Sequence, residues 1–139
     1  MKRTAKAHWS GTIKEGKGEL TTQSNILNKT NYNFKTRLEE DQKGTNPEEL
    51  LAAAHSACFT MAVSFALTEK GLNPTALDTE ATLTMEGFAI TGMHLSISGA
   101  VSGISPDEFE TITKDAEKNC LISKVLNIPI SSEAHLIAW

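Results

Sequence analysis

The pattern of apolar and polar residues in the first 40 positions predicts β-strands. Two short segments, TAKAHWSG and GKGELTT, are separated by a turn that contains glycine, and each has the composition of a strand. The segment YNFKTRL alternates apolar with polar residues, which predicts a third, half-buried strand. Arg37 would then lie on the face opposite the aromatic side chains.

The strongest helix signal begins at residue 46. Asn46 suits the N-cap, Pro47 suits the first helical position, and Glu49 falls at the third, where it would complete a capping box. Alanine and leucine continue the helix to Lys70, and Gly71 ends it.

The second half of the chain predicts two long strands, two further helices and a last strand. The long strands pair around Gly87, and Ser105 caps the first of these helices. A short helix covers CLISKVLN, and the final strand covers IPISSEAHLIAW. This order of elements predicts an α+β fold with a mainly antiparallel sheet, in a single domain that spans residues 1–139.

The long helix has almost no polar face. Polar residues interrupt it too often for a membrane span, so we expect a buried helix and no membrane partner. A helix that is apolar all round must be covered all round, which one chain of 139 residues can hardly do. We therefore expect a homodimer with two such helices in a shared core.

Composition limits the partners further. The chain has 13 basic and 17 acidic residues and a net charge of −4, without a lysine and arginine cluster, which argues against nucleic acid. The N-terminus lacks the apolar segment of a secretory signal, so we expect a cytoplasmic protein. In that compartment two cysteines are more consistent with catalysis or packing than with a static disulfide.

Cys58, in the middle of the long helix, has two interpretations. A buried cysteine in apolar surroundings is usually inert packing. Reactivity would need a nearby cation, because the helix dipole fades within the first turn and Cys58 lies about three turns in. Arg37 is the candidate cation, and Glu48 is free to pair with Arg37 because the helix start needs nothing more from it than its charge. From the residues alone, a solvated acid in the first turn is the favoured alternative for Glu48.

Cys120 lies where one predicted helix ends and the next begins. A helix N-terminus at that point would favour its thiolate, and an incidental core cysteine is the alternative. Cys120 follows Cys58 by 62 positions, which excludes a CxxC motif but leaves spatial pairing open.

Other functions remain open at this stage. His55 and Cys58 stand three apart on one helical face and could ligate zinc, although their spacing matches no zinc signature. Further ligands would come from His8, His94, His135 and Cys120. An acyl-transfer dyad of Cys58 and His55 is disfavoured, because two residues on one helix rarely align as nucleophile and base. A non-catalytic structural or stress-binding role is the third alternative.

Three stretches together resemble a known family. GTNPEELLAAAHSACF, the upstream FKTR and the distant NCLISKVL resemble the OsmC/Ohr family of thiol-dependent hydroperoxide reductases, and its OsmC branch most closely. The resemblance covers nearly the whole chain. It implies an OsmC/Ohr-like fold in which a mainly antiparallel sheet wraps around a long central helix. It also implies an intertwined homodimer with two active sites at the subunit interface.

The resemblance assigns roles to four residues. Cys58 would be the peroxidatic cysteine and Cys120 the resolving one. Arg37 would stabilise the thiolate, and Glu48 would hold that arginine in place. Leu121 departs from the family pattern, in which proline often follows the second cysteine directly.

These roles predict a reaction that needs no metal, haem or flavin. The Cys58 thiolate attacks a hydroperoxide and becomes a sulfenic acid, and Cys120 closes a disulfide. An external dithiol, either lipoyl-type or a thioredoxin-like protein, restores both thiols. Apolar side chains predict an apolar entrance to the active site, which would favour organic hydroperoxides over hydrogen peroxide. These side chains are Phe34, Phe59, Met61 and Phe88.

Overall fold

The computed structural model describes residues 1–40 and 43–137. Two residues of the predicted charged loop, Asp41 and Gln42, and the last two residues of the predicted final strand lie outside the described residues. The chain forms two compact units, Met1–Leu50 and Leu51–Trp139. One domain over the whole chain stays a prediction.

Six strands and four helices make up the described part of the chain. In chain order they are β1 (Ala5–Ser10), β2 (Lys17–Thr22), β3 (Thr30–Tyr32), α1 (Phe34–Leu38), α2 (Pro47–Glu69), β4 (Pro74–Glu86), β5 (Ala89–Val101), α3 (Pro106–Asn119), α4 (Leu121–Val125) and β6 (Ile130–Ile137).

The N-terminal unit contains a three-stranded antiparallel sheet in the order β1-β2-β3. The two strands predicted at the start of the chain are therefore confirmed. The rings of Trp9 and Tyr32 pack across this sheet with their centroids 5.7 Å apart. Contacts of this tilted kind are favourable between aromatic rings.

The prediction of a strand over YNFKTRL is wrong for most of that segment. Strand β3 stops at Tyr32, and Arg37 lies on the short helix α1. A capping box starts this helix: Asn33 Oδ1 accepts from the Thr36 backbone N–H at 2.8 Å, and Thr36 Oγ1 accepts from the Asn33 backbone N–H at 2.8 Å. These two local hydrogen bonds satisfy backbone donors at the helix start and outweigh the apolar alternation.

The start of α2 has the predicted N-cap and is also tied to α1. Asn46 Oδ1 accepts from the Glu49 backbone N–H at 2.7 Å, which confirms the N-cap. The Glu49 carboxylate accepts a hydrogen bond from the Thr45 hydroxyl at 2.8 Å, and no bond among the described residues joins it to the Asn46 backbone N–H, so the predicted capping box is wrong. Asn46 Nδ2 donates to the Thr36 carbonyl at 3.0 Å. One side chain thus fixes the end of α1 beside the beginning of α2.

The C-terminal unit contains a second sheet in the order β4-β5-β6. Strands β4 and β5 form the predicted antiparallel hairpin, and Gly87 turns it with a φ of 60°. Strand β6 pairs with β5 in parallel, after the chain has passed through α3 and α4. The predictions of two long strands, two helices and a mainly antiparallel α+β fold are confirmed.

The core of this unit lies between α2, β5 and α3. Side chains at four-residue intervals along α2 meet the alternate buried residues of β5 and the apolar face of α3. Gly99 on β5 lets the two layers approach closely, because a Cβ there would lie 2.5 Å from the ring of Phe109. The buried apolar residues are Phe59, Val63, Leu67, Met93, Leu95, Ile97, Val101, Phe109, Ile112, Ala116 and Cys120.

Helix α2 buries only one of its two apolar faces within the described chain, and its full burial in a homodimer stays a prediction. Met61 and Phe65, on the opposite face, remain 73% and 68% exposed. By length and composition alone α2 could cross a membrane, a test that core helices of water-soluble proteins also pass. The exposed face calls for a cover that the described residues do not supply.

Candidate active site

Arg37 and Glu48 form an ion pair in the N-terminal unit. Arg37 Nε donates to Glu48 Oε1 at 2.7 Å, and Arg37 Nη2 lies 2.7 Å from the same oxygen. The Glu48 side chain is 10% exposed, whereas that of Arg37 is 51% exposed. The other carboxylate oxygen, Oε2, is buried and has no hydrogen-bond partner among the described residues. Glu48 therefore anchors one edge of the guanidinium, and about half of the Arg37 side chain remains exposed to solvent.

The local backbone explains how these two side chains meet. Arg37 lies near the end of α1, and Glu48 is the second residue of α2. The side chain of Asn46 bonds to both helices and sets their approach. The negative charge of Glu48 is also favourable at a helix N-terminus. The structure thus brings together the two charged residues that the sequence singled out, and their catalytic roles stay predictions.

Cys58 and Cys120 meet in the C-terminal unit. Both are free thiols, and Cys58 packs against the buried cluster that contains Cys120 although 62 positions separate them. Cys120 is buried at the junction of α3 and α4, where it is both the last cap of one helix and the first cap of the next. The predicted position of Cys120 at a helix start is confirmed. Cys58 is partly buried on α2.

The surroundings of the two sulfurs make their acidities differ. Burial and the hydrogen bond to Cys120 raise the pKa of Cys58. Burial opposes ionisation of Cys120 most strongly, yet hydrogen bonds from Cys58, Ser123 and Ile122 together outweigh it and lower the pKa of Cys120. For Cys58 to be a thiolate near neutral pH, a positive charge must be added to these surroundings.

His55 is a buried residue whose partner the sequence did not reveal. Its side chain is fully buried, and Nε2 lies 2.7 Å from the Oγ of Ser123 on α4. Burial lowers the pKa of this imidazole. The signal in the sequence was a histidine at the four-residue interval that Phe59 and Val63 continue, since a polar group on an apolar stripe needs a buried partner.

Two of the histidines suggested as zinc ligands, His94 and His135, pair with a carboxylate instead. His94 Nε2 lies 3.0 Å from one oxygen of Glu133, and His135 Nε2 lies 3.1 Å from the other. The hydrogen bond from His94 is the main cause that lowers the pKa of this exposed carboxyl. Within residues 1–40 and 43–137, no three His, Cys, Asp or Glu side chains are arranged to hold a metal ion.

The residues suggested for an apolar entrance do not share one environment. Phe59 is fully buried in the core, so its assignment to an entrance is wrong. Met61 and Phe88 are exposed, and Phe34 is partly buried.

Comparison with known proteins places this chain in a family. The family described as OsmC-like protein matches residues 40–133. Peroxiredoxin OsmC of Escherichia coli K12 is 45% identical over 138 residues, which cover 96% of each chain. The chain belongs to the OsmC family. A more distant relative of the family is the organic hydroperoxide resistance protein OhrA of Bacillus subtilis 168, which is 33% identical over 70% of this chain and 72% of OhrA.

Solved structures show the same OsmC/Ohr fold. The OsmC-like protein of Mycoplasma pneumoniae matches with a TM-score of 0.75 and 15% identity, over 99% of both chains. The organic hydroperoxide resistance protein OhrB of B. subtilis matches with a TM-score of 0.64 and 22% identity, over 96% of this chain and 98% of OhrB. The predicted family and fold are therefore confirmed.

Proposed function

We propose that this protein is a thiol-dependent peroxidase that reduces organic hydroperoxides to alcohols, and hydrogen peroxide more slowly. The observation that carries the proposal is the packing of the free thiol of Cys58 against the buried cluster that contains Cys120, on the fold of this family. Its relatives are named a peroxiredoxin and an organic hydroperoxide resistance protein, which indicates that the protein is an enzyme of the peroxidase class.

The reaction divides into three balanced steps. The Cys58 thiolate attacks the terminal oxygen of the hydroperoxide, the O–O bond breaks, and the alkoxide leaves as an alcohol after taking a proton. The Cys120 thiolate then attacks the sulfur of the Cys58 sulfenic acid, and hydroxide leaves as water after taking a proton. An external dithiol, of lipoyl type or on a thioredoxin-like protein, reduces the disulfide by exchange. No metal, haem or flavin takes part.

Arg37 and Glu48 serve the first step in this proposal. A guanidinium within about 4–6 Å of a thiol can lower its pKa by one to three units, which opposes the effect of burial on Cys58. Glu48 holds one edge of that guanidinium, and half of the Arg37 side chain remains exposed for a second partner. The resemblance to the family implies that the site forms at a subunit interface.

The exposed face of α2 supports the homodimer. A second copy of the chain would cover Met61 and Phe65, which solvent surrounds in the single chain. Apolar residues at such an interface would also give the active site an apolar entrance suited to organic hydroperoxides. We place the protein in the cytoplasm, where thiols are kept reduced.

Consumption of cumene hydroperoxide in the presence of excess dithiol tests the proposed function. We expect activity in the wild type and none in Cys58→Ser, because serine keeps the shape and loses the nucleophile. A slower rate with hydrogen peroxide than with cumene hydroperoxide is expected in the same assay. Equal rates in the wild type and Cys58→Ser would end the peroxidase proposal.

A further inference from the structure

We propose that His55 is a positioning residue for Cys120, a role that rests on the peroxidase function proposed above. Its imidazole fixes the Ser123 hydroxyl so that this hydroxyl donates a hydrogen bond to the resolving sulfur. The result is a chain of donors that runs from α2 through α4 to Cys120.

One measured contact and the start of α4 connect these three residues. His55 on α2 is fully buried, and its Nε2 lies 2.7 Å from Ser123 Oγ. Ser123 follows Cys120, the N-cap residue of α4, at an interval of about one helical turn. The Ser123 side chain also lowers the pKa of Cys120, so its hydroxyl is the group through which the imidazole acts on the sulfur in this proposal.

The unpaired nitrogen of His55 decides the direction of the hydrogen bonds. Nδ1 is buried and has no partner among the described residues. A buried N–H without an acceptor is rarer in proteins than a bare acceptor, so the favoured tautomer leaves Nδ1 bare and puts the proton on Nε2. Nε2–H then donates to Ser123 Oγ, and the hydroxyl hydrogen is left to point at Cys120.

The neutral state of the imidazole is consistent with this arrangement. Burial lowers the pKa of His55, so the ring stays neutral at physiological pH. In the described part of this unit, the titratable group that acts on Cys120 directly is Cys58, and His55 lies one hydroxyl further away. A hydrogen bond to the charged form of a thiol favours that form, so this chain of donors promotes ionisation of Cys120.

An ionised Cys120 matters in the second step of the reaction. The thiolate attacks the sulfur of the Cys58 sulfenic acid, a new S–S bond forms, the S–O bond breaks, and the departing hydroxide takes a proton to become water. A stabilised thiolate is ready before the sulfenic acid forms. Fast closure protects Cys58 from further oxidation.

The test measures the pKa of Cys120 in a Cys58→Ser background by the ultraviolet absorbance of the thiolate. This readout needs neither solvent access to the sulfur nor peroxide, so it stands even if peroxidase activity fails. We expect Ser123→Ala and His55→Leu each to raise the pKa by about one unit, a tenfold loss of thiolate at a given pH. His55→Gln, whose Nε2–H can still donate, should stay near the parent value.

A matched control and a kinetic readout complete the test. Thr113→Val removes another buried hydroxyl, one without a hydrogen-bond partner in the described structure, and should leave the pKa of Cys120 unchanged. In the protein with both cysteines, His55→Leu should lengthen the life of the Cys58 sulfenic acid, trapped with dimedone, without slowing its formation. An unchanged pKa in Ser123→Ala, or equal effects of His55→Gln and His55→Leu, would overturn the proposal.

Discussion

Glu48 holds Arg37 through a single carboxylate oxygen, which lies 2.7 Å from both Nε and Nη2 of the guanidinium. The carboxylate is nearly buried, and half of the arginine is exposed. Among the described residues, Arg37 alone replaces the water that the Glu48 carboxylate loses, whereas Arg37 keeps room for a further partner. This asymmetry is what an anchored but available cation requires, and it is the basis of the first two predictions.

Replacing the cation should raise the pKa of Cys58. In a Cys120→Ser background we expect Arg37→Met to move the pH profile of Cys58 alkylation upward by about one unit or more, because the opposite charge near the thiolate is lost. Lys35→Met removes a neighbouring exposed charge on α1 and serves as the control. Identical profiles for Arg37→Met and the parent would show that Arg37 does not act on the thiol.

Replacing the anchor should weaken catalysis without removing the cation. Glu48→Gln keeps the shape of the side chain but replaces a charge-assisted hydrogen bond with a neutral one. We expect kcat/KM for cumene hydroperoxide to fall about tenfold, which corresponds to about 1.4 kcal/mol. Glu39→Gln, an exposed acid of the same unit, should leave kcat/KM unchanged. Equal kcat/KM in Glu48→Gln and the wild type would contradict the anchoring role.

The exposed face of α2 predicts the effect of a charge on assembly. We expect Phe65→Glu to convert a dimer into a monomer in sedimentation or light scattering, because a buried carboxylate without a partner is costly at an interface. Phe88→Glu places the same charge at an exposed apolar residue in the hairpin turn between β4 and β5 and should leave the dimer intact. A monomeric wild type, or a dimeric Phe65→Glu variant, would show that α2 does not form a dimer interface.

Burial of His55 predicts a loss of stability in mild acid. The folded state lowers the pKa of this imidazole, so below about pH 6.5 the unfolded chain binds a proton that the folded chain does not. The free energy of unfolding should therefore fall as the pH falls from 7, until the folded pKa is reached. Urea unfolding at several pH values measures this slope. His55→Gln should have a smaller slope, and equal slopes would show that His55 does not titrate on unfolding.

Prediction from the sequence succeeded where the signal was local. Asn46 caps α2, Ser105 caps α3, and Gly87 turns the hairpin of β4 and β5. Each of these features depends on residues within a few positions of one another. Prediction failed at YNFKTRL. The alternation there indicated a strand, but a capping box that begins at Asn33 starts a helix.

The sequence by itself determined most of the helices and strands and the family, and it predicted four residues for the candidate site. Tertiary structure decided which side chains meet. It packed Cys58 against the buried cluster that contains Cys120, gave His55 its partner Ser123, and left one face of α2 exposed. Caps and turns follow from short-range sterics and hydrogen bonds, whereas contacts between distant residues depend on how the layers of the fold pack. No local pattern encodes that packing.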